Sequence, residues 1–502
     1  MYKPLLKVRN TPVVWILISV FFFRLLFLLT NHLDLIGDET YYWDWSRQLD
    51  WCYYSKPPMI AWLIALATHF GGHEVEIVRL PAVLLGTISL YYFYGTANAF
   101  YGPKTAMIAL LMLLATPFTV LANLMMTIDP PLYCFWIMSL YYLHHALFTD
   151  QKSAWLLAGI TTGLGILSKQ VGLFIPLMLF IFLLLSKEKR CYFKREFWIY
   201  LLPVIACLLP ILFWNQKHDW IMFTHSKGHF AIKESISLIK HIEQGLTFLV
   251  FQLLLASPIL CALLFFLSAK CSWQIKSLED KALFLVLMGP ILLLGISFLG
   301  FIQKVQGNWG IPFYFSTLIL LSQHAFQTPW WKYMKAGLAT GFFMVSLTYA
   351  LPVLIQTLHL QNTAIDPTYR FRHTQSLVNA IDLERQKLNA ASENTFIIVV
   401  GHRFLVSQMA FYLPDHPSVF HYEESGQIIS QYEVWPGPID KIGKQALIVS
   451  DRDAADLPNA LKAVFVNFQK KSEIVNPANP TAHYTLFLAD PLKYWPPHTE
   501  NP

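Results

Sequence analysis

The sequence predicts a mainly α protein: a polytopic transmembrane helical bundle followed by a small C-terminal α/β domain. Three observations carry this. Of the 502 residues, 55% are hydrophobic and only 14% charged, where a soluble globular chain carries about 25% charged residues. The apolar residues fall into long runs, each near the roughly 20 residues that one membrane span needs. After Leu358 the composition turns polar and no further run of that length occurs. The chain thus divides into residues 1–358, a helical membrane domain with a large first external loop at 31–76, and residues 359–502, an extracytoplasmic α/β domain.

About eleven spans are expected by length and hydropathy, centred near Val20, Leu90, Leu113, Met138, Gly159, Met178, Ala206, Leu255, Leu287, Leu318 and Val345. The apolar segment Met59 to Phe70 is short for a span and reads as a helix lying in the interface. Lys3, Lys7 and Arg9 precede the first run, which no small-residue cleavage site follows, so it reads as a retained span rather than a signal peptide. With these three residues cytoplasmic, the even-numbered turns are cytoplasmic too. Those turns carry Lys104, Lys152, the cluster Lys187 to Arg195, then Lys270, Lys276 and Lys281, then Lys332 and Lys335. This is the positive-inside pattern, and it accounts for the formal charge of +6 without a nucleic-acid partner. The opposite face receives Asp38, Glu39, Lys56, Asp129, Lys169, the Trp214 to His241 region and Gln303 to Trp309. The chain is read as multi-pass, with the odd span count placing the tail outside.

In the tail, Thr395 to Val400 reads as a buried strand and Arg403 to Leu413 as an amphipathic helix. Ala446 to Ser450 and Tyr484 to Leu488 read as further strands, with a helix around Asp456 to Phe468 between them. The tail holds no cysteine. The six cysteines of the chain lie elsewhere, mostly in or beside apolar runs, and suit small core residues without metal spacing.

The candidate chemistry lies in the outer loops. Asp38 and Glu39 open Gly37-Asp-Glu-Thr-Tyr-Tyr-Trp43; adjacent side chains diverge, so one carboxylate faces a reaction centre as a general base, or Asp38 caps a helix starting at Glu39. Lys56, stiffened by Pro57 and Pro58, is either a phosphate-binding point charge or a headgroup-facing lysine. Asp129 before Pro130 is a second carboxylate, an N-cap, or both. Lys169, between two apolar runs, needs a partner or a water-filled cavity, and a lipid phosphate is one such partner. Asn215 and His218 sit in an aromatic loop that continues through His225, Lys227, His229 and Lys233. Its histidines match no standard zinc spacing, and a solvated amphipathic surface is the simpler reading. Gln306, Asn308 and Trp309 can hydrogen-bond and stack on a sugar.

Together these stretches resemble the bacterial branch of the GT-C glycosyltransferases, similar to dolichyl-phosphate-mannose protein mannosyltransferases and to the aminoarabinose transferase that modifies lipid A. The resemblance rests on Gly37 to Trp43, Tyr53 to Trp62 (with Lys56-Pro-Pro58), Val78-Arg-Leu-Pro81, Thr127-Ile-Asp-Pro130, Leu167-Ser-Lys169, Trp214-Asn215 with His218 and Trp220, and Val305-Gln-Gly-Asn-Trp309. It spans roughly residues 12 to 325. Ala410 to Pro414 and Ser430 to Tyr432 also match that branch. The resemblance implies a membrane enzyme that takes a sugar from a polyprenyl-phosphate donor, with inversion, and gives it to a lipid, glycan or protein hydroxyl. It implies Asp38 as catalytic carboxylate beside Glu39, Asp129 as second external carboxylate, and Lys56 and Lys169 near the lipid phosphate. Tyr41, Tyr42, Asn215, His218, Gln306, Asn308 and Trp309 are the sugar- or acceptor-binding candidates. The aminoarabinose transferases carry a metal-holding Glu before Lys-Pro-Pro; Ser55 stands there instead, which puts a divalent metal in doubt and leaves no certain cofactor. The rival class is a transporter or flippase without chemistry, which calls for polar midspan residues or paired broken helices.

Overall fold

A computed structural model describes residues 11–496 apart from 231–236, 327–328, 362, 364–365, 391–393, 453–456 and 477–478. Lys3, Lys7, Arg9, Lys233 and Asp456 therefore lie outside the described residues. The chain is mainly helical and forms two compact units. One comprises Met1–Thr30, Lys56–Ile60 and Arg79–Ala350; the other comprises Asn31–Ser55, Ala61–Val78 and Leu351–Pro502.

The first unit is a bundle of apolar helices. All eleven sequence-derived centres fall in helices. Among the described residues six helices are long and apolar enough to cross a membrane, or seven if one bent pair counts as a span. The bent pair is Pro103–Leu114 and Phe118–Leu124, set at 76°. Pro117 has no N–H and its ring clashes with the carbonyl four residues back; the Thr116 hydroxyl donates to that carbonyl, Leu113 O. A second break at Ser257, in the left-handed region at φ 66°, divides Leu238–Ala256 from Pro258–Trp273. Met59–Gly71 is a 13-residue helix, as the short apolar segment predicts.

Packing within the bundle uses small residues and hydroxyls. A Cβ on Gly159 would stand 2.2 Å from the Tyr200 carbonyl oxygen, so the Lys152–Ser168 and Glu196–Lys217 helices approach backbone to backbone. Beside this contact a hydroxyl chain crosses three helices. Tyr200 donates to Thr162 at 3.3 Å, Thr162 to Ser139 at 3.2 Å, and Ser139 to Thr161 at 3.0 Å.

The second unit is built on a five-stranded sheet: β1 Thr395–Val400, β2 Val419–His421, β3 Gln445–Ser450, β4 Phe465–Asn476 and β5 Asn479–Leu492. The order is β2-β1-β3-β5-β4. β1 runs parallel to β2 and β3, and β5 runs antiparallel to β3 and β4. The predicted strands at Thr395, Ala446 and Tyr484 and the helix at Arg403 stand. The helix expected from Asp456 to Phe468 does not: a short helix, Asn459–Ala463, ends where edge strand β4 begins.

Residues 31–55 join this sheet domain through their backbone. Asp34 accepts from the N–H groups of Thr374 and Gln375 at 2.9 and 3.1 Å, capping the Thr374–Lys387 helix from a distant segment. The Leu35 N–H donates to the Tyr412 hydroxyl and the Tyr54 N–H to Gln431 Oε1, each at 2.7 Å. The Gly37–Ser46 helix packs on Arg403–Tyr412, with the Thr40 and Ser407 hydroxyls 2.8 Å apart. Gly37 is required at this contact, because a Cβ would fall 2.3 Å from the Phe404 ring.

His421 and Glu433 form a buried pair at 2.5 Å, while His421 Nε2 lies 2.8 Å from the Gly401 carbonyl. Both neighbours are acceptors, so both ring nitrogens donate and the ring is an imidazolium. Burial alone lowers the His421 pKa, but the Glu433 hydrogen bond and charge outweigh it and the net shift is upward. A histidine whose folded pKa is raised stabilises fully below its unfolded value, about 6.5, and loses that contribution as pH rises through the folded value. Thermal melting of the protein is therefore expected to fall as pH rises above about 6.5, and His421→Gln to flatten this dependence. Parallel pH profiles for the two proteins would show the pair to be silent.

Candidate active site

In the helical unit, Asp129 is the first residue of the Asp129–Phe148 helix, with prolines at the next two positions. Prolines there lose no hydrogen bond, since those N–H groups have no intrahelical partner. Asp129 is not the N-cap expected as one reading; that position is Ile128. Its carboxylate serves two other segments. Oδ1 accepts from Lys169 Nζ at 2.7 Å and Oδ2 from Asn308 Nδ2 at 2.5 Å. Lys169 and Asp129 side chains are only 10% and 12% exposed.

Each partner is positioned by its own turn. Lys169 ends the Lys152–Ser168 helix in an extended conformation and leads into a tight turn, Gln170–Leu173. The turn folds back so closely that a Cβ on Gly172 would stand 2.9 Å from the Gly165 backbone. Asn308 lies in the turn Gly307–Gly310, held by a residue the sequence reading missed. Gln252 is fully buried, donates to the Gly307 carbonyl at 3.0 Å and accepts from the Tyr314 hydroxyl at 2.6 Å. Its sequence signal is one amide within the apolar stretch Phe248–Ala256.

In the other unit, Asp38 and Glu39 diverge as expected. Glu39 is fully buried, and its Oε2 accepts from the Ile36 N–H at 3.1 Å. Glu39 therefore closes the first turn of the Gly37–Ser46 helix. Asp38 is not a cap, because the helix begins at Gly37 with Ile36 as N-cap. Asp38 is half-buried and lines a cavity of about 530 Å³ shared with Arg370, His373, His402, Gln408 and Asp451. Burial lowers the pKa of His373 and of His402, for His402 with help from Arg403. Both rings are thus neutral at pH 7, and His402 Nδ1 accepts from the Phe404 N–H at 3.2 Å. The cavity offers hydroxyl-binding groups around one half-buried carboxylate.

The remaining candidates separate. Tyr41 and Tyr42 are core residues, 2% and 6% exposed. The Tyr41 hydroxyl accepts from the Gln431 N–H at 2.6 Å. Asn215 is buried and donates to the Ile211 carbonyl at 2.8 Å. His218 stacks on Trp214 at 3.9 Å between ring centroids, and its Nδ1 lies 2.8 Å from the Trp214 carbonyl. Gln306 is exposed, and Trp309 and Lys56 are half-buried. Among the described residues no three His, Cys, Asp or Glu side chains are grouped to hold a metal ion, and Ser55 brings no carboxylate.

Comparison with known proteins decides the class. The family described as dolichyl-phosphate-mannose-protein mannosyltransferase matches residues 55–214. Lipid A galacturonosyltransferase RgtD of Rhizobium johnstonii is 27% identical over 453 residues, covering 88% of this chain and 91% of that protein. ArnT from Cupriavidus metallidurans is structurally similar, with 16% identity. Bound to undecaprenyl phosphate it has a TM-score of 0.66 and covers 96% of this chain and 98% of its own; in the apo state the TM-score is 0.62. The chain is a glycosyltransferase, similar in sequence to RgtD along most of its length and in fold to ArnT. The resemblance read from the loop motifs and the multi-pass helical architecture agree with this assignment.

In this glycosyltransferase the Asp129–Lys169 pair has a measurable signature. Removing one partner leaves a buried charge uncompensated, at a cost of about 3–5 kcal/mol, whereas removing both charges together costs far less. Asp129→Asn and Lys169→Met are each expected to lower the melting temperature strongly, and the double variant to recover much of that loss. Additive losses in a detergent melting assay would contradict the pairing.

Proposed function

We propose that this glycosyltransferase moves a sugar from a polyprenyl-phosphate donor to a hydroxyl of an extracytoplasmic lipid, glycan or protein, inverting the anomeric centre. Asp38 takes the proton of the acceptor hydroxyl as its oxygen attacks the anomeric carbon. The bond from that carbon to the phosphate oxygen breaks, and polyprenyl phosphate leaves. The observation that carries the reading is the state of Lys169. An ammonium has three N–H donors; Asp129 takes one and fixes its direction, leaving two for phosphate oxygens. Charge-assisted donors aimed at a leaving phosphate act in the step where its charge develops. Asp129 and Asn308 are then positioning residues for Lys169, and Lys56 supplies a second cation.

The acceptor side is supported by the cavity beside Asp38, whose neutral histidines and amide suit hydroxyl groups. The 27%-identical relative is named for lipid A, which favours a glycolipid acceptor. The basic turns on one face and the candidate residues on the other support an inner-membrane protein with its sheet domain outside.

Purified protein in nanodiscs, offered a panel of polyprenyl-phosphate sugars, is expected to release polyprenyl phosphate from one of them. Asp38→Asn is expected to lower turnover by about 10²–10⁴-fold with the melting temperature unchanged. Glu39→Gln is expected to act mainly on stability. Turnover of Asp38→Asn within a few-fold of wild type would remove the base assignment.

A further inference from the structure

Arg24 is a buried charged group in the helical unit that this chemistry leaves unused. It lies in the Thr11–Thr30 helix, on the face that also carries buried Val13, Leu17 and Leu28, and is 2% exposed. Its Nε and Nη1 are buried and make no hydrogen bond, and it forms no ion pair among the described residues. Lys169 is buried too, but Asp129 compensates it. A lysine can escape an apolar site by losing its proton; a guanidinium cannot. A buried cation without a counter-charge destabilises the fold that holds it, and in a membrane helix such a residue marks a site by default.

Its surroundings point to an anion. Arg24 lies six residues before the helix end, about 9 Å along the axis at 1.5 Å per residue, within reach of the level where lipid headgroups sit. The helix packs on Phe118–Leu124, the second arm of the pair bent by 76°. Broken helices in a membrane are tolerated where protein or a cavity satisfies the freed backbone. Guanidinium N–H groups are donors on a fixed cation, so the ligand that answers them presents oxygen acceptors and negative charge.

We infer that Arg24 is a ligand for the phosphate of the polyprenyl-phosphate donor. The inference rests on the reading given under Proposed function. Phosphate oxygens match the planar fork of a guanidinium, and binding would supply the counter-charge that the protein alone lacks. A bilayer phospholipid carries the same phosphodiester chemistry, so the test must separate the two sources.

The full-length protein, Arg24→Met, Arg24→Lys and the remote control Lys104→Met are placed in phosphatidylcholine nanodiscs. Melting temperature and undecaprenyl phosphate affinity are measured for each. Arg24→Met removes the uncompensated charge, so it is expected to raise the melting temperature without lipid ligand. It is also expected to weaken undecaprenyl phosphate binding by about 10–100-fold. Arg24→Lys keeps the charge without the fork and is expected to fall between, and Lys104→Met to match wild type. A lower melting temperature for Arg24→Met with unchanged affinity would make Arg24 a packing residue and overturn the inference. If Arg24→Met does not fold, Arg24→Lys decides, and wild-type affinity there overturns it. Phosphatidylglycerol nanodiscs supply the other source: Arg24-dependent stabilisation by that lipid alone, with nothing added by undecaprenyl phosphate, would overturn the donor assignment. Wild-type protein that neither binds undecaprenyl phosphate nor releases it from any sugar donor defeats the functional reading itself; binding intact in wild type and in Arg24→Met defeats only the role of Arg24.

Discussion

The helical unit is organised around one electrostatic constraint: a lysine held inside an apolar bundle must be compensated. The Asp129 carboxylate meets Lys169 at 2.7 Å and Asn308 at 2.5 Å, drawing three segments far apart in sequence to one point. The local backbone serves that meeting. Pro130 and Pro131 start one helix at the carboxylate, Gly172 lets the chain turn behind the lysine, and Gln252 braces the turn that presents the amide. A buried pair of this kind adds little net stability and is costly to break, so function explains it better than folding does. Lys169 thereby keeps a fixed direction and spare donors, the condition for stabilising a phosphate as it leaves.

The unit containing Asp38 obeys a different constraint, the satisfaction of backbone groups. Residues 31–55 have too little regular structure to pair their own N–H groups, and side chains from beyond residue 370 do it for them: Tyr412 for Leu35 and Gln431 for Tyr54. In return, Asp34 caps the Thr374–Lys387 helix. The loop carrying the proposed base is thus folded by the C-terminal domain within a single compact unit. Glu39, spent on closing the first helical turn, leaves Asp38 as the carboxylate that faces a cavity.

Much of the fold was legible in the sequence because apolar runs and strand alternation are local signals. The helix centres, Met59–Gly71, strands β1, β3 and β5 and the Arg403–Tyr412 helix all follow from them. Strand β4 escaped because an edge strand such as Phe465–Asn476 exposes Gln469, Lys470 and Lys471 in succession, which removes the alternation and mimics a polar helix. Strand β2 is three residues long, too short for any pattern. Breaks within helices, such as the one at Ser257, escaped because an apolar run does not reveal them. At the site, residue types were legible and partnerships were not. Lys169 and Asp129 are 40 positions apart, and the capping role of Glu39 and the burial of Tyr41 and Tyr42 depend on packing. A lone Arg24 disappears when hydropathy is averaged across its span.

The central claim is a single displacement at the anomeric carbon, with a carboxylate taking the acceptor proton and a lysine-bound phosphate leaving. The anomeric configuration of the transferred sugar tests this most directly, read by NMR from product made with a donor of known configuration. The account predicts inversion in every product molecule. Retention would require two successive displacements or a front-face substitution, and would contradict the roles assigned to Asp38 and Lys169.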